Sequence, residues 1–480
     1  MSTITNYENE VVNQAQTRRA TVEFINIVND LWYDKSIELV LFRNPLVDKR
    51  ASEVLNLIDY AKEFVAKPIS IEDALDIAKA IQSIELPASK LDIGKLAYEF
   101  HLSENENIDK VDFVKKQLEG ATEASGIQPK DVVLYGFGRI GRLLARELSS
   151  KMGKGSQLRL RAVVTRGKID ESVLEKRASL LSIDSVHGDF LGTVQVDAEN
   201  NALIINGTTV YMISAAKPED IDYTEYGIHD ALIIDNTGAF RDKEALSRHL
   251  VPKGASKVLL TAPGKGIPNI VHGVNHVENN PDFVDVFSAA SCTTNAITPV
   301  LKVLEDNFGI KKGHLETIHA YTNDQNLVDN MHNKYRRGRA AALNMVITET
   351  GAGKAVSKAL PALEGKLTSN AIRVPVPNGS LAILNLQLNS TTTAEAVNAI
   401  MKQYALEGDL VEQIQYSMSN ELVSSDIVGT TAPSIFDSKA TIADGDTIVI
   451  YVWYDNEYGY SHQVMRLAKH IAKVRRFTYY

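Results

Sequence analysis

The stretch DVVLYGFGRIGRLLARELSS, residues 131–150, decides how the rest of the chain is read. A short apolar run, DVVLY, meets three glycines spaced G-x-G-x-x-G (Gly136, Gly138 and Gly141), and a helical pattern follows at once. Glycine is needed there for a tight turn, for close approach of backbone to a pyrophosphate, and for helix–strand packing. The free N–H groups and the dipole at the start of the helix then favour the phosphates. Further apolar strands follow at 160–165 (LRAVVT), 231–238 (ALIIDNTG) and 257–263 (KVLLTAP), separated by helical or turn-rich segments. Strand–helix alternation of this kind predicts an open parallel sheet with right-handed crossovers.

The second strand ends in Thr165, Arg166 and Gly167, with no carboxylate before Asp170. An acidic residue at that point serves an adenosine ribose, whereas an arginine suits a 2′-phosphate. Arg166 therefore raises NADP, or dual specificity, as an alternative to NAD. The other reading makes Arg166 a surface arginine and gives the ribose to Asp170.

Upstream the texture is helical. Val54, Leu57, Ile58, Ala61 and Val65 recur at helical spacing, Ser70 and Asp73 fit a capping box, and NIDKVDFVKKQLEG stops at Gly120. ATEASGIQPK, at 121–130, reads as a linker. No nucleophile pattern, glycine loop or metal cluster is found before residue 129. Downstream, ITPVLKVLEDNFG reads as a helix, and HLETIHAYT, IRVPVPNGSLAILNLQL and TIVIYVWYDN read as long strands of an α+β domain. The predicted organisation is an all-α extension over 1–128, a Rossmann dinucleotide-binding domain over 129–291, a catalytic α+β domain over 292–455, and a C-terminal helix over 456–480 that packs back on the Rossmann domain.

Composition has the balance of a soluble globular protein. The 480 residues are 44% hydrophobic and 23% charged, with a formal net charge of −9, which disfavours general affinity for nucleic acid or an anionic membrane. No run approaches the length of a membrane helix, and MSTITNYENE lacks a signal-peptide pattern. A cytoplasmic location is expected by default. The single cysteine, Cys292, lies in SAASCTTNAITP at the start of a helix, where the dipole favours a thiolate. Its expected base is His319, in HLETIHAYTNDQ.

SAASCTTNAITP, HAYTNDQ, RRGRAAALNMVITETGAGKAV, GKLTSNAIRVPVPN, WYDNEYGYS and GFGRIGR together resemble the phosphorylating glyceraldehyde-3-phosphate dehydrogenases, over about residues 131–480. The resemblance implies that Cys292 attacks an aldehyde, that His319 takes the proton, that hydride passes to NAD or NADP, and that inorganic phosphate releases the acyl group as 1,3-bisphosphoglycerate. It implies Thr322 and Arg373 for the substrate phosphate, and Ser291, Thr293, Thr350, Gly351 and Arg337 for the inorganic phosphate. It assigns Arg139 and Ile140 to the pyrophosphate, Thr237 and Thr261 to the lining of the cofactor site, Asn456 to the nicotinamide carboxamide, and Tyr460 to its surroundings. A homotetramer is implied as well, in which the loop holding Asn330 and Met331 reaches a neighbour's adenosine. Where the family often has a second cysteine, this chain has Ala296. Two alternatives remain: the related erythrose-4-phosphate dehydrogenases, which hydrolyse their thioester, and a regulatory or binding protein on the same scaffold, acting through the extension.

Overall fold

The computed structural model describes residues 7–102, 108–121, 127–150 and 157–480. The chain forms two compact units. Most of the expected linker, 122–126, lies outside the described residues.

The first unit takes in residues up to Pro129 and also the tail Val474–Tyr480. Its helices are Tyr7–Lys35, Ala51–Tyr60 (continued to Val65 as a π-helical turn), Ile71–Gln82, Ile93–His101 and Lys110–Gln117. The capping box at Ser70 and Asp73 forms in both directions. The third helix of the sequence reading ends at Gln117, three residues before Gly120.

The all-α description of this segment is incomplete. A four-stranded sheet runs in the order Asn44–Pro45, Glu38–Leu41, Ser89–Asp92 and Phe477–Tyr479. These strands are two to four residues long, too short to display a period. One comes from the far end of the chain, so no local pattern announces it. The reading of 456–480 is corrected by the same observation. The last helix ends at Ile471, and the tail beyond it pairs in parallel with Ser89–Leu91.

A buried ion pair fastens the tail. Arg476 Nη1 lies 3.1 Å from the Glu38 carboxylate, both groups are almost fully buried, and the guanidinium sits 4.4 Å from the ring centre of buried Trp32. At the adjoining Phe42–Arg43 turn, two consecutive residues have positive φ, and the buried Asp92 carboxylate accepts both of their N–H groups.

The second unit holds two eight-stranded sheets. The first has the order Val286–Ser288, Ala255–Leu260, Ala231–Asp235, Lys130–Tyr135, Leu158–Thr165, Thr208–Ser214, Ala202–Ile205 and Val194–Asp197. The first six are mutually parallel, and the last two are added by successive antiparallel pairings. Taken in chain order, the parallel six stand 6-5-4-1-2-3, the doubly wound arrangement of a Rossmann domain. The topological switch point falls between Lys130–Tyr135 and Ala231–Asp235, where the glycine turn lies.

The second sheet places Val346–Thr348, Leu367–Val374, Ile310–Ala320, Ser380–Leu388, Thr447–Tyr454, Ser434–Asp437 and Ile414–Ser417 side by side, with Ile442–Asp444 pairing to Thr447–Tyr454. Helix Cys292–Phe308 packs on this sheet and helix Tyr458–Ile471 on the glycine-turn helix Arg139–Ser150. No described helix is long and apolar enough to cross a membrane.

Removing one partner of a buried ion pair leaves an uncompensated charge, at a cost of about 3–5 kcal/mol. Arg476→Ala is therefore expected to lower the urea midpoint of the first unit, followed by hydrogen exchange of Glu38–Leu41 and Ser89–Asp92. The paired change Arg476→Met with Glu38→Leu is expected to recover most of the loss.

Candidate active site

The glycine turn is built for a close ligand. Gly136 has φ +106°, and a Cβ there would come within 2.9 Å of Asn236 Oδ1 and Thr237 Cγ2. A Cβ on Gly141 would stand 2.6 Å from the Gly136 carbonyl oxygen. Gly138 differs: a side chain there would meet nothing within 4 Å. Two glycines thus close the turn against the sheet, and the third leaves room outside it. Arg139 opens the following helix, so its N–H and that of Ile140 belong to the unpaired first turn. These features fit a pyrophosphate.

The Arg139 guanidinium is committed elsewhere. It bonds both oxygens of Glu457 at 2.5 Å and both of Asp184 at 3.1 and 3.2 Å. His187 completes the group through Glu457 at 3.0 Å. Of Arg139, the backbone is what remains for a phosphate. Thr237 and Thr261 both anchor to Asp235. The carboxylate accepts the Thr237 N–H and hydroxyl at 2.8 Å, and the Asp235 carbonyl accepts from Thr261. Asp235 is itself fully buried against His249, at 2.9 Å. Arg166 is exposed at the end of the second strand. Asp170 caps the next helix through the Val173 N–H, so its carboxylate already has a structural task.

Asn456 is buried, and its Oδ1 accepts from Ser380 Oγ at 2.8 Å. Ser380 Oγ in turn accepts the Ala320 N–H at 3.1 Å. This fixes the amide with Nδ2 as its outward donor. Tyr460 donates to the Ala290 carbonyl at 2.8 Å.

That carbonyl matters because Ala290 has φ +55°, a strained conformation for a residue with a Cβ, immediately before the thiol. Ser291 follows as N-cap, and Cys292 is the first residue of its helix. Cys292 Sγ lies 3.5 Å from His319 Nε2. His319 is the penultimate residue of the strand Ile310–Ala320, directly opposite Arg373 on the parallel strand Leu367–Val374. Arg373 Nη1 stands 2.6 Å from His319 Nδ1.

The helix dipole does not dominate the thiol, contrary to the sequence expectation. Burial pushes the Cys292 pKa up, against the opposing charge of Arg373 and the hydrogen bonds of Thr293. His319 is pushed down to about 3, first by burial and then by the charge of Arg373.

The residues implied for anions are unequally available. Ser291 Oγ is the helix cap, accepting the Thr294 N–H at 3.0 Å and contacting Thr294 Oγ1 at 2.7 Å. The Thr293 hydroxyl is buried and hydrogen-bonded to Tyr454 Oη at 3.0 Å. Arg337 is held by Thr348 at 3.0 Å and by Asp324, yet its charge is felt at His319. Gly351 caps the helix Ala352–Ala359, is exposed, and has open space around its Cα. Thr350 Oγ1 accepts the Ala352 N–H at 3.3 Å. Thr322 is half-buried in the turn after His319.

Several participants escaped the sequence reading. Tyr454 bridges Thr293 and Thr317, with 2.7 Å to the latter, and its ring meets that of His319 edge-on. Burial and the nearby thiol push its pKa up, so it stays a protonated hydroxyl. Glu457, Asp184 and Ser380 are further cases. Tyr454 and Glu457 lie in the run WYDNEYGYS, which was the available signal.

Comparison with known families agrees with this geometry. The model of the glyceraldehyde 3-phosphate dehydrogenase NAD binding domain matches residues 130–243, and that of the C-terminal domain matches residues 291–456. A glyceraldehyde-3-phosphate dehydrogenase-like protein of Pseudomonas aeruginosa is 48% identical over 457 residues, 94% of this chain and 98% of the relative. Glyceraldehyde-3-phosphate dehydrogenase 2 of Trichormus variabilis is 44% identical over 71% of this chain and 98% of the relative. Glyceraldehyde-3-phosphate dehydrogenase 1 of Bacillus subtilis is 42% identical with the same coverage. A match to 94% of the chain necessarily takes in most of the first 129 residues, so the Pseudomonas relative shares the extension.

The His319 shift has a consequence for stability. A histidine whose folded pKa is about 3, against an ordinary 6.5, stabilises fully above pH 6.5 and loses that contribution as pH falls toward 3. At pH 5 the loss is about 2 kcal/mol. Between pH 8 and pH 5 the wild type is expected to lose about that much more stability than His319→Asn, measured by urea unfolding.

Proposed function

This chain belongs to the glyceraldehyde 3-phosphate dehydrogenase family, and we propose that it oxidises glyceraldehyde 3-phosphate to 1,3-bisphosphoglycerate with inorganic phosphate. The observation that carries the reading is the 3.5 Å contact of Cys292 Sγ and His319 Nε2 beside Arg373. A dehydrogenase of this family binds NAD through the domain matched over 130–243. Bound NAD supplies the hydride acceptor.

The rest falls to the chain's own residues. Cys292 gives up its proton to His319, the sulfur adds to the aldehyde carbon, and His319 returns the proton to the carbonyl oxygen, giving a hemithioacetal and a neutral imidazole. His319 accepts the hydroxyl proton as that carbon is oxidised to the thioester. Inorganic phosphate then adds to the thioester carbon, and the Cys292 thiolate leaves with the bonding pair. Sulfur suits both roles, because a thiolate attacks well and leaves well. Arg373, with Thr322 beside the same strand end, suits the phosphate of the aldehyde, and Arg337, Thr350 and Gly351 suit the incoming phosphate. Asn456 offers Nδ2 to the carboxamide, since its Oδ1 is taken by Ser380.

Phosphorolysis is favoured over the hydrolysis of erythrose-4-phosphate dehydrogenases by the anion-suited side chains on both sides of the thiol. Exposed Arg166 and the capping duty of Asp170 favour tolerance of NADP. A homo-oligomer, a tetramer by family likeness, is supported by the apolar residues exposed over 327–345. Leu327, Met331, Tyr335, Leu343 and Met345 are each at least 76% exposed, apolar side chains of the kind a subunit interface covers.

Initial rates with glyceraldehyde 3-phosphate, with NAD and with NADP, with and without phosphate, test the reading. Turnover is expected to require phosphate. Cys292→Ala is expected to abolish it, and His319→Asn to lower kcat by about 10²–10⁴-fold. Arg166→Ala is expected to raise KM for NADP while leaving KM for NAD nearly unchanged. Phosphate-independent oxidation would move the assignment to the hydrolysing relatives. No reduction of either nucleotide would move it to a binding protein.

A further inference from the structure

We infer that the outer half of the first helix is a self-association arm, which lies antiparallel against the same segment of a second copy of this chain. The inference concerns the first unit alone and is independent of the reaction proposed above.

The helix Tyr7–Lys35 changes character along its length. From Thr21 onward one face is buried, through Phe24, Ile27, Val28, Leu31 and Trp32. Residues 7–16, by contrast, are all exposed, on every side of the helix. Helices in proteins are stabilised chiefly by packing an apolar face, and fixing each residue costs about 1–2 kcal/mol of backbone entropy. Roughly three turns of this helix have no packed face within the chain to offset that cost.

The exposed segment is not uniformly polar. Tyr7, Val11 and Ala15 follow one another at every fourth residue, so they share one side, and Arg18 continues it. Glu8 and Arg19 border that side on the same edge, since they are about three turns apart. Arg18 and Arg19 have no ion pair or side-chain hydrogen bond among the described residues.

The pattern is complementary to itself. An antiparallel pair with its two-fold axis beside Asn13 and Gln14 brings Val11 onto the second copy's Ala15, Tyr7 onto its Arg18 and Glu8 onto its Arg19. Symmetry makes each contact twice. The tyrosine ring faces a guanidinium, and the carboxylate accepts a charge-assisted hydrogen bond. A parallel pair would instead bring the acidic turns level with each other and the basic turns level with each other, which repels. The acid and base halves of the contact are both carried by one helix, so the partner that fits it is another copy. The contact is small, of the weak and reversible class.

Disulfide trapping tests the arm. The full-length chain is used with Cys292→Ala, so that an introduced cysteine is its only thiol. Gln14→Cys, beside the axis, is expected to form a covalent dimer when oxidised with copper phenanthroline. Val22→Cys, also exposed but roughly 25 Å from its counterpart across the axis, is expected to form none. In the Gln14→Cys chain, Glu8→Arg or Arg19→Glu is expected to slow dimer formation several-fold. Mixing these two charge variants, one of them isotopically heavy, is expected to restore the original rate in the mixed dimer alone, because acid again faces base. Both positions are exposed, and unchanged far-UV circular dichroism checks that the helix persists. Equal trapping at positions 14 and 22 overturns the antiparallel arm, and so does the absence of a dimer through position 14. A mixed dimer that forms no faster than either variant alone overturns the charge pairing on which the arm rests.

Discussion

The imidazole of His319 is buried between a thiol and a guanidinium, and much of the second unit exists to keep it there. Two backbone arrangements converge on it. One is the parallel register that sets His319 against Arg373, with each strand secured on both sides in the sheet. The other is the left-handed residue Ala290, which turns the chain out of the strand Val286–Ser288 so that Ser291 can cap and Cys292 can open the next helix. A non-glycine residue in that conformation costs of order 1–3 kcal/mol. The surroundings repay it through Tyr460 on the Ala290 carbonyl and Asn295 on the Ala289 carbonyl at 2.7 Å.

From the same strand end, hydrogen bonds spread into both halves of the site. The Ala320 N–H leads through Ser380 Oγ to Asn456, on the nicotinamide side of the proposed reaction. Thr317, two residues before His319, leads through Tyr454 to Thr293, beside the thiol. Glu457 follows Asn456 and holds Arg139 at the glycine turn. The run Tyr454–Glu457 therefore joins the thiol helix, Ser380 and the glycine turn within four residues. A small displacement of this segment would be felt at all three, because positioning errors near 1 Å are expensive in catalysis.

The first unit obeys a different constraint. Its sheet is completed by the chain's last strand and anchored by Arg476 on Glu38, so the extension and the tail form one folding unit although more than 300 residues separate them. The Pseudomonas relative, matched over 94% of this chain, shares the extension, and the shorter relatives match only about the last three-quarters.

Much was legible in the residues themselves. The glycine turn was readable because glycine spacing, strand and helix are local, and local geometry is written in local sequence. The Ser70–Asp73 capping box was readable for the same reason. So was the pairing of Cys292 with His319, once long motifs in the right order resembled a known family. What tertiary structure alone decided is what depends on partners distant in sequence. The tail strand, the inward turn of the Thr293 hydroxyl toward Tyr454, the commitment of the Arg139 side chain to Glu457 and Asp184, and the burial that raises the thiol and lowers the imidazole are of this kind. Hydrogen-bond satisfaction and desolvation are properties of the folded surroundings. A sequence names the groups, and only the fold says which of them are already spoken for.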